Sequence, residues 1–257
     1  MAQSISVSLQ DRVLTVTLDR ADKRNALTHE MYTGLAEALE RADADPDVRV
    51  VVLRAEGGLF TAGNDLADFA DLAGDDRPAE QWPVTRFLRA LISCGAPVIA
   101  AVQGRAVGVG TTMLLHCDLV VLADDASLTV PFVDLALVPE ACSTLLLPQR
   151  IGHARAFAMF ALGQPMGVQE ALSTGIATSV VGTDQLDDEA RRLAAELLAR
   201  PAASLAETKA LMRDVSALLE HMQREIEVFA GRLRSPESAE ALAAFQEKRR
   251  PDFAQFE

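Results

Sequence analysis

Apolar and polar residues alternate at the start of the chain. Apolar side chains occupy every second position from residue 5 to 9, and a second alternating run covers residues 13–18. Because successive side chains of a strand point to opposite faces, each run predicts a strand with one buried face. Only the short polar stretch at Gln10-Asp11 separates the runs. Two such strands joined by a short break predict a β-hairpin.

Three later segments are apolar on both faces: residues 48–53, 97–102 and 119–123. The stretches before them carry apolar residues at steps of three and four, as in residues 31–39, where Thr28 can cap a helix, in residues 87–92 and, more briefly, in residues 111–115. Strands that are buried on both faces and alternate with helices are typical of a parallel sheet. The sequence therefore predicts an α/β fold with βαβ units.

Beyond about residue 150 the pattern becomes almost entirely helical. Asp184 is placed to cap one helix, Pro201 to begin a second, and Ser235-Pro236 has the cap and first-turn residues of a third. The apolar seam of residues 219–233 and the helix after it fits packing either on the chain's own core or on another subunit. Residues 73–79, rich in Asp, Gly and Pro, predict a mobile surface loop.

Composition narrows the class of protein. The 257 residues are enough for one or two domains, and a hydrophobic share of 49% is typical of a globular chain. Lys and Arg number 24 against 37 Asp and Glu, which gives a net charge of −13 and leaves no basic stripe for nucleic acid. Aromatic residues make up only 5%. The core is therefore expected to consist of small aliphatic side chains.

The cysteines and the N-terminus indicate a cytoplasmic protein. Cys94, Cys117 and Cys142 form no CxxC pair, which favours reduced thiols over a disulfide framework or a zinc ribbon. The first five residues lack the basic start and long apolar run of a signal peptide, and no apolar run is long enough for a membrane span. His116, beside Cys117, is expected to be packed rather than to bind a metal, because a structural metal site needs about four ligands.

Two glycine-containing loops are the first candidates for chemistry. Residues 59–66 and 104–110 each follow a predicted strand and lead into a helix. The second loop lacks the lysine of a Walker motif and the third glycine of a dinucleotide fingerprint. Side by side, such loops can present two convergent N–H donors to an oxyanion. Glycine is common at strand-to-helix turns, however, so the loops alone also fit a purely structural role.

Five short motifs, in order over nearly the whole chain, resemble those of the crotonase superfamily, the enoyl-CoA hydratases and isomerases. They are the segments at residues 20–27, 60–66, 104–110 and 139–143, and residues 235–237 together with the terminal residues 247–253. The resemblance implies a spiral of repeated ββα units over residues 1–199 and a C-terminal helical trimerisation region over residues 200–257. It also implies an acyl-CoA thioester as substrate and a homotrimer, or a hexamer built as a dimer of trimers.

The resemblance assigns roles to residues of both loops. The family's oxyanion hole would consist of the backbone N–H groups of Asn64 and Val109. Coenzyme A would lie against the first loop and meet a few placed cations; the residues implied are Lys23, Arg24, Ala26, Ala62, Asp65, Leu66 and Lys248. Asp65 also fits a structural role, since a short carboxylate at that place can cap the following helix.

The carboxylates depart from the hydratase pattern. The two places where hydratases of this family carry glutamates hold Thr112 and Phe132, and hydration needs one group to activate water and another to protonate carbon. Glu140 remains, in a Pro-Glu-x-Cys-Ser pattern similar to peroxisomal-type Δ3,Δ2-enoyl-CoA isomerases, whose matching glutamate moves a proton from C2 to C4. Apolar residues expected to keep that carboxyl dry are Phe132, Leu135, Leu137 and residues 145–147.

We therefore expect an enoyl-CoA isomerase that needs no metal or redox cofactor. Three alternatives stay open on the sequence: a hydratase or other crotonase reaction with atypical acids, a CoA-thioester-binding trimer without activity, and a Glu140 that merely serves the start of a helix. Cys142 has no histidine in its segment and is expected to be a buried thiol rather than a nucleophile.

Overall fold

The computed structural model describes residues 4–256, apart from the side chain of Ala70. Residues 1–3, which belong to the segment expected to lack a signal peptide, lie outside the described part. Residues 4–256 contain nine strands: β1 (Ile5–Gln10), β2 (Val13–Leu18), β3 (Val50–Ala55), β4 (Val98–Val102), β5 (Arg105–Val107), β6 (Leu119–Ala123), β7 (Ser127–Thr129), β8 (Met166–Gly167) and β9 (Ser179–Val181).

The strands form two sheets. The larger has the order β1-β2-β3-β4-β6-β9, and the smaller has the order β5-β7-β8. Strands β1 and β2 pair antiparallel, which confirms the predicted hairpin. From β2 to β9 the pairing in the larger sheet is parallel, and β4 and β6 each continue directly into a strand of the smaller sheet. The chain thus winds between two sheets, with helices closing each turn.

The helices in the described part of the chain follow the predicted order. They are α1 (His29–Ala44), α2 (Leu66–Ala73), α3 (Pro83–Ser93), α4 (Val109–Thr112), α5 (Ser143–Ile151), α6 (His153–Leu162), α7 (Val168–Ser173), α8 (Leu186–Leu198), α9 (Ala202–Met212), α10 (Val215–Leu233) and α11 (Pro236–Gln246). Thr28 caps α1 by accepting from the N–H of Met31, and Ser235 caps α11 by accepting from that of Ser238. Both caps were predicted.

Two cores explain why the central strands are apolar on both faces. Val51 and Leu53 of β3 face the main core with α1 and α3, whereas Val50 and Val52 face a smaller core against α8. The same alternation holds in β4 and β6. Burial of both faces makes the larger sheet a rigid base for the loops at its carboxyl edge.

Three local predictions need correction. Asp184 does not cap α8, because residues 183–185 form a 3₁₀ turn that leads into the helix without a side-chain cap. The predicted loop at residues 73–79 is shorter, since α2 includes Ala73 and a 3₁₀ turn begins at Ala79. The stretch at 111–115 is split between α4 and a 3₁₀ turn at Met113–His116.

Cys94, Cys117 and Cys142 are free and buried, as expected from their spacing. Within residues 4–256, no helix combines the length and the apolar character that crossing a bilayer would require.

Candidate active site

The two glycine-containing loops are joined by a short backbone bridge. The N–H of Thr61 donates to the carbonyl of Arg105, and the N–H of Val107 donates to the carbonyl of Thr61, both at 3.1 Å. Gly110 allows this approach, because a Cβ there would lie 2.2 Å from the Cγ2 of Thr61. Loops that follow β3 and β4 in the chain therefore meet at one edge of the larger sheet.

The bridge leaves the predicted oxyanion donors free of other partners. Leu27 uses the carbonyl of Gly63 and the N–H of Asp65, so the intervening N–H of Asn64 points the other way. Val109 begins α4, where first-turn N–H groups have no partner within the helix. Among residues 4–256, neither N–H has an acceptor. Each donor follows a glycine of positive φ, +89° at Gly63 and +58° at Gly108.

The carboxyl group of Glu140 is buried beside α4. The residue is 7% exposed, and its Oε1 accepts from the hydroxyl of Thr112 at 2.7 Å. Its Oε2 is buried without a partner among residues 4–256. Burial raises the pKa of Glu140 to about 8, the Thr112 hydrogen bond opposes that shift, and the charge of Glu225 adds to it. Glu140 can therefore gain and lose a proton near neutral pH.

The side chain of Glu140 accepts from no N–H group at the start of α5, although its backbone carbonyl accepts from the N–H of Ser143. Cys142 is the N-cap residue of α5, and the carboxylate that accepts from the first N–H groups belongs to Glu225, in α10. Glu225 rather than Glu140 therefore supplies the carboxylate that binds N–H groups at the start of α5.

Tyr32 links the first loop to the surroundings of Glu140. Its hydroxyl is buried and donates to the side-chain oxygen of Asn64. Burial, with a contribution from the charge of Glu140, raises the pKa of Tyr32 well above its usual value of 10. Tyr32 therefore stays protonated and acts as a fixed donor to Asn64.

A cavity of about 930 Å³ opens in front of these groups. Its wall contains both predicted oxyanion donors, Asn64 and Val109. It also contains five of the residues implied for coenzyme A: Arg24, Ala26, Ala62, Asp65 and Leu66. Lys23 and Lys248 are exposed and lie outside this wall. Of the apolar residues expected to keep Glu140 dry, Phe132, Leu135 and Leu137 line this cavity, Leu147 is buried, and Leu145 and Leu146 pack partly against the core. Glu140 is not among the residues of this wall, and its carboxyl is one hydrogen bond from Thr112 of α4.

Comparison with known proteins places the chain in a family. The model for the family described as enoyl-CoA hydratase/isomerase matches residues 8–256. The chain belongs to the enoyl-CoA hydratase/isomerase family. The crystal structure of an enoyl-CoA hydratase/isomerase from Pseudoalteromonas atlantica T6c has a TM-score of 0.91 at 42% identity, and the match covers 97% of this chain and 99% of that one. The crotonase-like α/β fold expected from the motifs is thereby confirmed.

Two curated relatives of this family are isomerases by name. The 1,2-epoxyphenylacetyl-CoA isomerase of Escherichia coli K12 is 33% identical, and the match covers 98% of this chain and 99% of that protein. The peroxisomal enoyl-CoA delta isomerase 3 of Mus musculus is 31% identical over 73% of this chain and 60% of its own length. Other relatives are named hydratases. The chain is thus an acyl-CoA enzyme of the hydratase/isomerase family.

The cavity of this family member offers two unpaired cations. Arg24 and Arg105 line it, and neither has a carboxylate within 4 Å in the described part of the chain. Arg249 also lines the cavity, but it is paired with Glu240 and Glu247.

Asp65 has the structural role that its sequence position suggested. It caps α2 by accepting from the N–H of Ala67, and it pairs with Arg20 at 2.7 Å. The hydrogen bond from Arg20 is the main reason that the pKa of Asp65 is lowered. The side chain of Asp65 therefore shapes the first loop, and Asp65 also forms part of the cavity wall.

Sequence reasoning missed three residues of the site. Arg105 lies within the second loop and could have been singled out as a cation between two glycine turns. Glu225 falls among the apolar positions of α10, where a buried carboxylate signals a specific partner. Tyr32 gave no signal in the sequence, because it occupies an ordinary core position of α1.

Proposed function

We propose that this protein is an enoyl-CoA isomerase that shifts a double bond from Δ3 to Δ2 of an acyl-CoA thioester. The observation that carries the proposal is Glu140: a single buried carboxyl with a pKa of about 8 and one oxygen without a partner, beside the helix that begins with Val109. A group with these properties can remove a proton at neutral pH and return it.

The reaction needs one base and a stabilised oxyanion. The Glu140 carboxylate removes a proton from C2, and the electron pair of that C–H bond delocalises onto the thioester oxygen and C4 as a dienolate. The N–H groups of Asn64 and Val109 stabilise the oxygen; one such donor is worth roughly 10²–10³ in rate. The same Glu140 then protonates C4, the double bond becomes Δ2, and no atom is gained or lost.

The residues at the two hydratase positions support isomerisation over hydration. The hydroxyl of Thr112 donates a hydrogen bond to Glu140, and Phe132 is a buried apolar residue of the cavity wall. Neither side chain can act as a general base for water. The reaction proposed here uses only groups of the protein and involves no metal or redox cofactor.

One observation favours a second candidate, hydration with an atypical pair of acids. Asp134 is exposed and lines the same cavity as the oxyanion donors. In that reaction Asp134 would activate water while Glu140 protonates the α-carbon. Exposure of Asp134 gives it no shield from solvent, whereas isomerisation needs a single dry carboxyl, which Glu140 provides.

Substrate binding in this proposal uses local cations against a net charge of −13. The free guanidinium groups of Arg24 and Arg105 would attract the phosphates of coenzyme A at short range. Salt screens the repulsion from the more distant negative charges of the protein, so these two nearby cations dominate. Lys23 and Lys248 lie outside the wall, so they would meet only a part of coenzyme A that extends beyond the cavity.

The proposal also covers the oligomeric state of the protein and its location in the cytoplasm. Large exposed apolar side chains on and near α6, namely Val133, Phe157, Leu162 and Leu172, support a trimer or a dimer of trimers, and sedimentation would distinguish these states. Three free cysteines fit the reducing conditions of the cytoplasm.

The test compares two substrates and two variants. Purified wild-type protein should convert a 3-enoyl-CoA to the 2-enoyl-CoA and hydrate a 2-enoyl-CoA poorly. Glu140→Gln should lower isomerisation by at least 10³-fold, while Asp134→Asn should leave it within a few-fold. Efficient hydration of a 2-enoyl-CoA that is lost in both Glu140→Gln and Asp134→Asn would overturn isomerisation in favour of the second candidate. Efficient hydration that survives Glu140→Gln would overturn both candidates. Thioester binding without turnover would indicate an inactive binding protein.

A further inference from the structure

The turn that carries Glu140 is held in an unfavourable backbone conformation. Ala141 and Cys142, the two residues after Glu140, have φ values of +59° and +55°. For residues with a Cβ this left-handed region costs roughly 1–2 kcal/mol each. Such a turn persists only when its surroundings fix it.

The surroundings that fix it come mainly from α10. One oxygen of Glu225 accepts from the N–H of Cys142 at 2.6 Å, and the other accepts from the N–H of Thr144 at 3.0 Å. The Thr144 hydroxyl also donates to Glu225. The thiol of Cys142 donates to the carbonyl of Leu218, which also belongs to α10, at 2.9 Å.

A second contact holds the opposite side of the same turn. His116 Nε2 lies 2.7 Å from the carbonyl of Ala141 and must donate to it, so Nδ1 is left as an acceptor for Arg213 at 3.0 Å. Burial, aided by the charge of Arg213, lowers the pKa of His116 to about 3. The imidazole therefore stays neutral and keeps this tautomer.

We propose that Glu225 is a positioning residue for Glu140, which it aims by binding the N–H groups of Cys142 and Thr144 from across the fold. The proposal rests on the proposed function, since it takes Glu140 as the group that moves the proton. Glu225 does not line the cavity and acts only through the turn. A carboxylate suits this place because it accepts on both oxygens, whereas an amide would present an N–H₂ group to one of the two donors.

The geometry predicts a loss of turnover without a loss of binding. In Glu225→Gln, one N–H of the turn loses its acceptor. The Glu140 carboxyl is then no longer held in one position relative to the N–H groups of Asn64 and Val109. We expect kcat for 3-enoyl-CoA to fall 10- to 100-fold, because small misplacements of a reacting group have large effects on rate. KM should stay within about twofold, since the cavity wall is untouched.

Two further variants separate positioning from stability. Glu225→Asp keeps the charge but is one methylene shorter, so its kcat should lie between those of the wild type and Glu225→Gln. Asp118→Asn is the matched control: Asp118 accepts from the N–H of Val98 and from Lys209 outside the site, and its loss should lower the melting temperature while kcat stays unchanged. All rates are measured below each variant's unfolding transition.

The outcomes distinguish this proposal from the proposed function. If Glu140→Gln abolishes isomerisation while Glu225→Gln and Glu225→Asp keep the wild-type kcat, positioning by Glu225 is wrong and Glu140 catalysis stands. If Glu140→Gln stays active, the proposed function fails whatever Glu225 does. Should Glu225→Gln not fold, a kcat for Glu225→Asp equal to that of the wild type overturns the positioning role, and a reduced kcat at unchanged KM supports it.

Discussion

The hydroxyl of Thr112 is the one polar group that binds the Glu140 side chain in the described part of the molecule. Thr112 occupies one of the two positions where the resemblance to hydratases implies a glutamate. Instead of supplying a carboxylate, it donates a hydrogen bond to the carboxylate of Glu140. This donation stabilises the charged form of Glu140 and so opposes the effect of burial on the pKa. Thr112 therefore lowers the pH at which the base becomes available, against the larger effect of burial.

Removal of that hydroxyl should shift the pH dependence of isomerisation. Since the reaction begins with the Glu140 carboxylate, wild-type kcat/KM should rise with pH and level off above about 8. In Thr112→Val the midpoint should move up by about one pH unit, because a hydrogen bond to a charged group is worth roughly 1.5–3 kcal/mol. A kcat/KM profile between pH 6 and 10 measures the shift. An unchanged midpoint would show that Thr112 does not tune the base.

At the residue scale, the sequence predicted the groups that lie in local motifs. Asn64 and Val109 belong to glycine-containing loops that follow strands, and Glu140 belongs to a short pattern just before α5, so these segments could be recognised. Glu225 could not be paired with its partners in advance, because Cys142 and Thr144 lie 83 and 81 positions away along the chain. Contacts of that range depend on how α10 crosses the start of α5.

Among the elements, the two glycine loops act as one unit through Thr61. Its hydroxyl donates to the carbonyl of Asn25 at 2.6 Å and accepts from the N–H of Gly63 at 3.1 Å. These bonds fix the side-chain rotamer, so the Cγ2 methyl cannot move away from Gly110. The position of the Val109 N–H therefore depends on the absence of a side chain at the next residue.

Gly110→Ala should push the loops apart. The added methyl would overlap Thr61, and such overpacking costs about 1–3 kcal/mol. We expect a lower melting temperature and a kcat/KM for isomerisation reduced at least tenfold, because one oxyanion donor moves. Gly231→Ala is the control, since Gly231 is an exposed residue of α10 with nothing within 4 Å. That variant should be as active as the wild type and equally or slightly more stable. Equal effects of the two substitutions would contradict the role of the loop contact.

Secondary structure was predicted well where a sequence pattern has a single structural explanation. The hairpin, the parallel strands and the caps at Thr28 and Ser235 follow from alternation, burial and capping chemistry. Asp184 was assigned wrongly because it lies inside a 3₁₀ turn, which places Gln185 rather than Asp184 directly before the first residue of α8. The short strands of the smaller sheet carry too few residues for a periodic pattern, and only the winding of the chain between sheets pairs them.

The whole molecule combines a net charge of −13 with two buried carboxyl groups of raised pKa. Burial raises the pKa of Glu140 to about 8 and that of Glu225 to about 7. A group whose pKa is raised by folding keeps its proton in the native state after the unfolded chain has lost it. The free energy of unfolding therefore falls as pH rises from the ordinary carboxyl pKa to the raised one.

Comparison of the wild type with Glu140→Gln isolates the contribution of one carboxyl. His116, whose lowered pKa makes stability rise with pH from about 3 towards its ordinary value of 6.5, is common to both proteins, as is Glu225. The free energy of unfolding of Glu140→Gln relative to wild type should therefore increase between pH 5 and pH 9, by a few kcal/mol in order of magnitude. Urea unfolding at several pH values measures the difference. Parallel curves for the two proteins would contradict a raised pKa at Glu140.

The central claim is that one carboxyl carries a proton from C2 to C4. The most direct test uses 3-enoyl-CoA deuterated at C2 and locates the label in the 2-enoyl product by mass spectrometry or NMR after a single turnover in ordinary water. Because the Glu140 carboxyl is buried, proton return should compete with exchange, and a measurable fraction of the product should carry deuterium at C4. Product with only solvent hydrogen at C4 would contradict the shuttle.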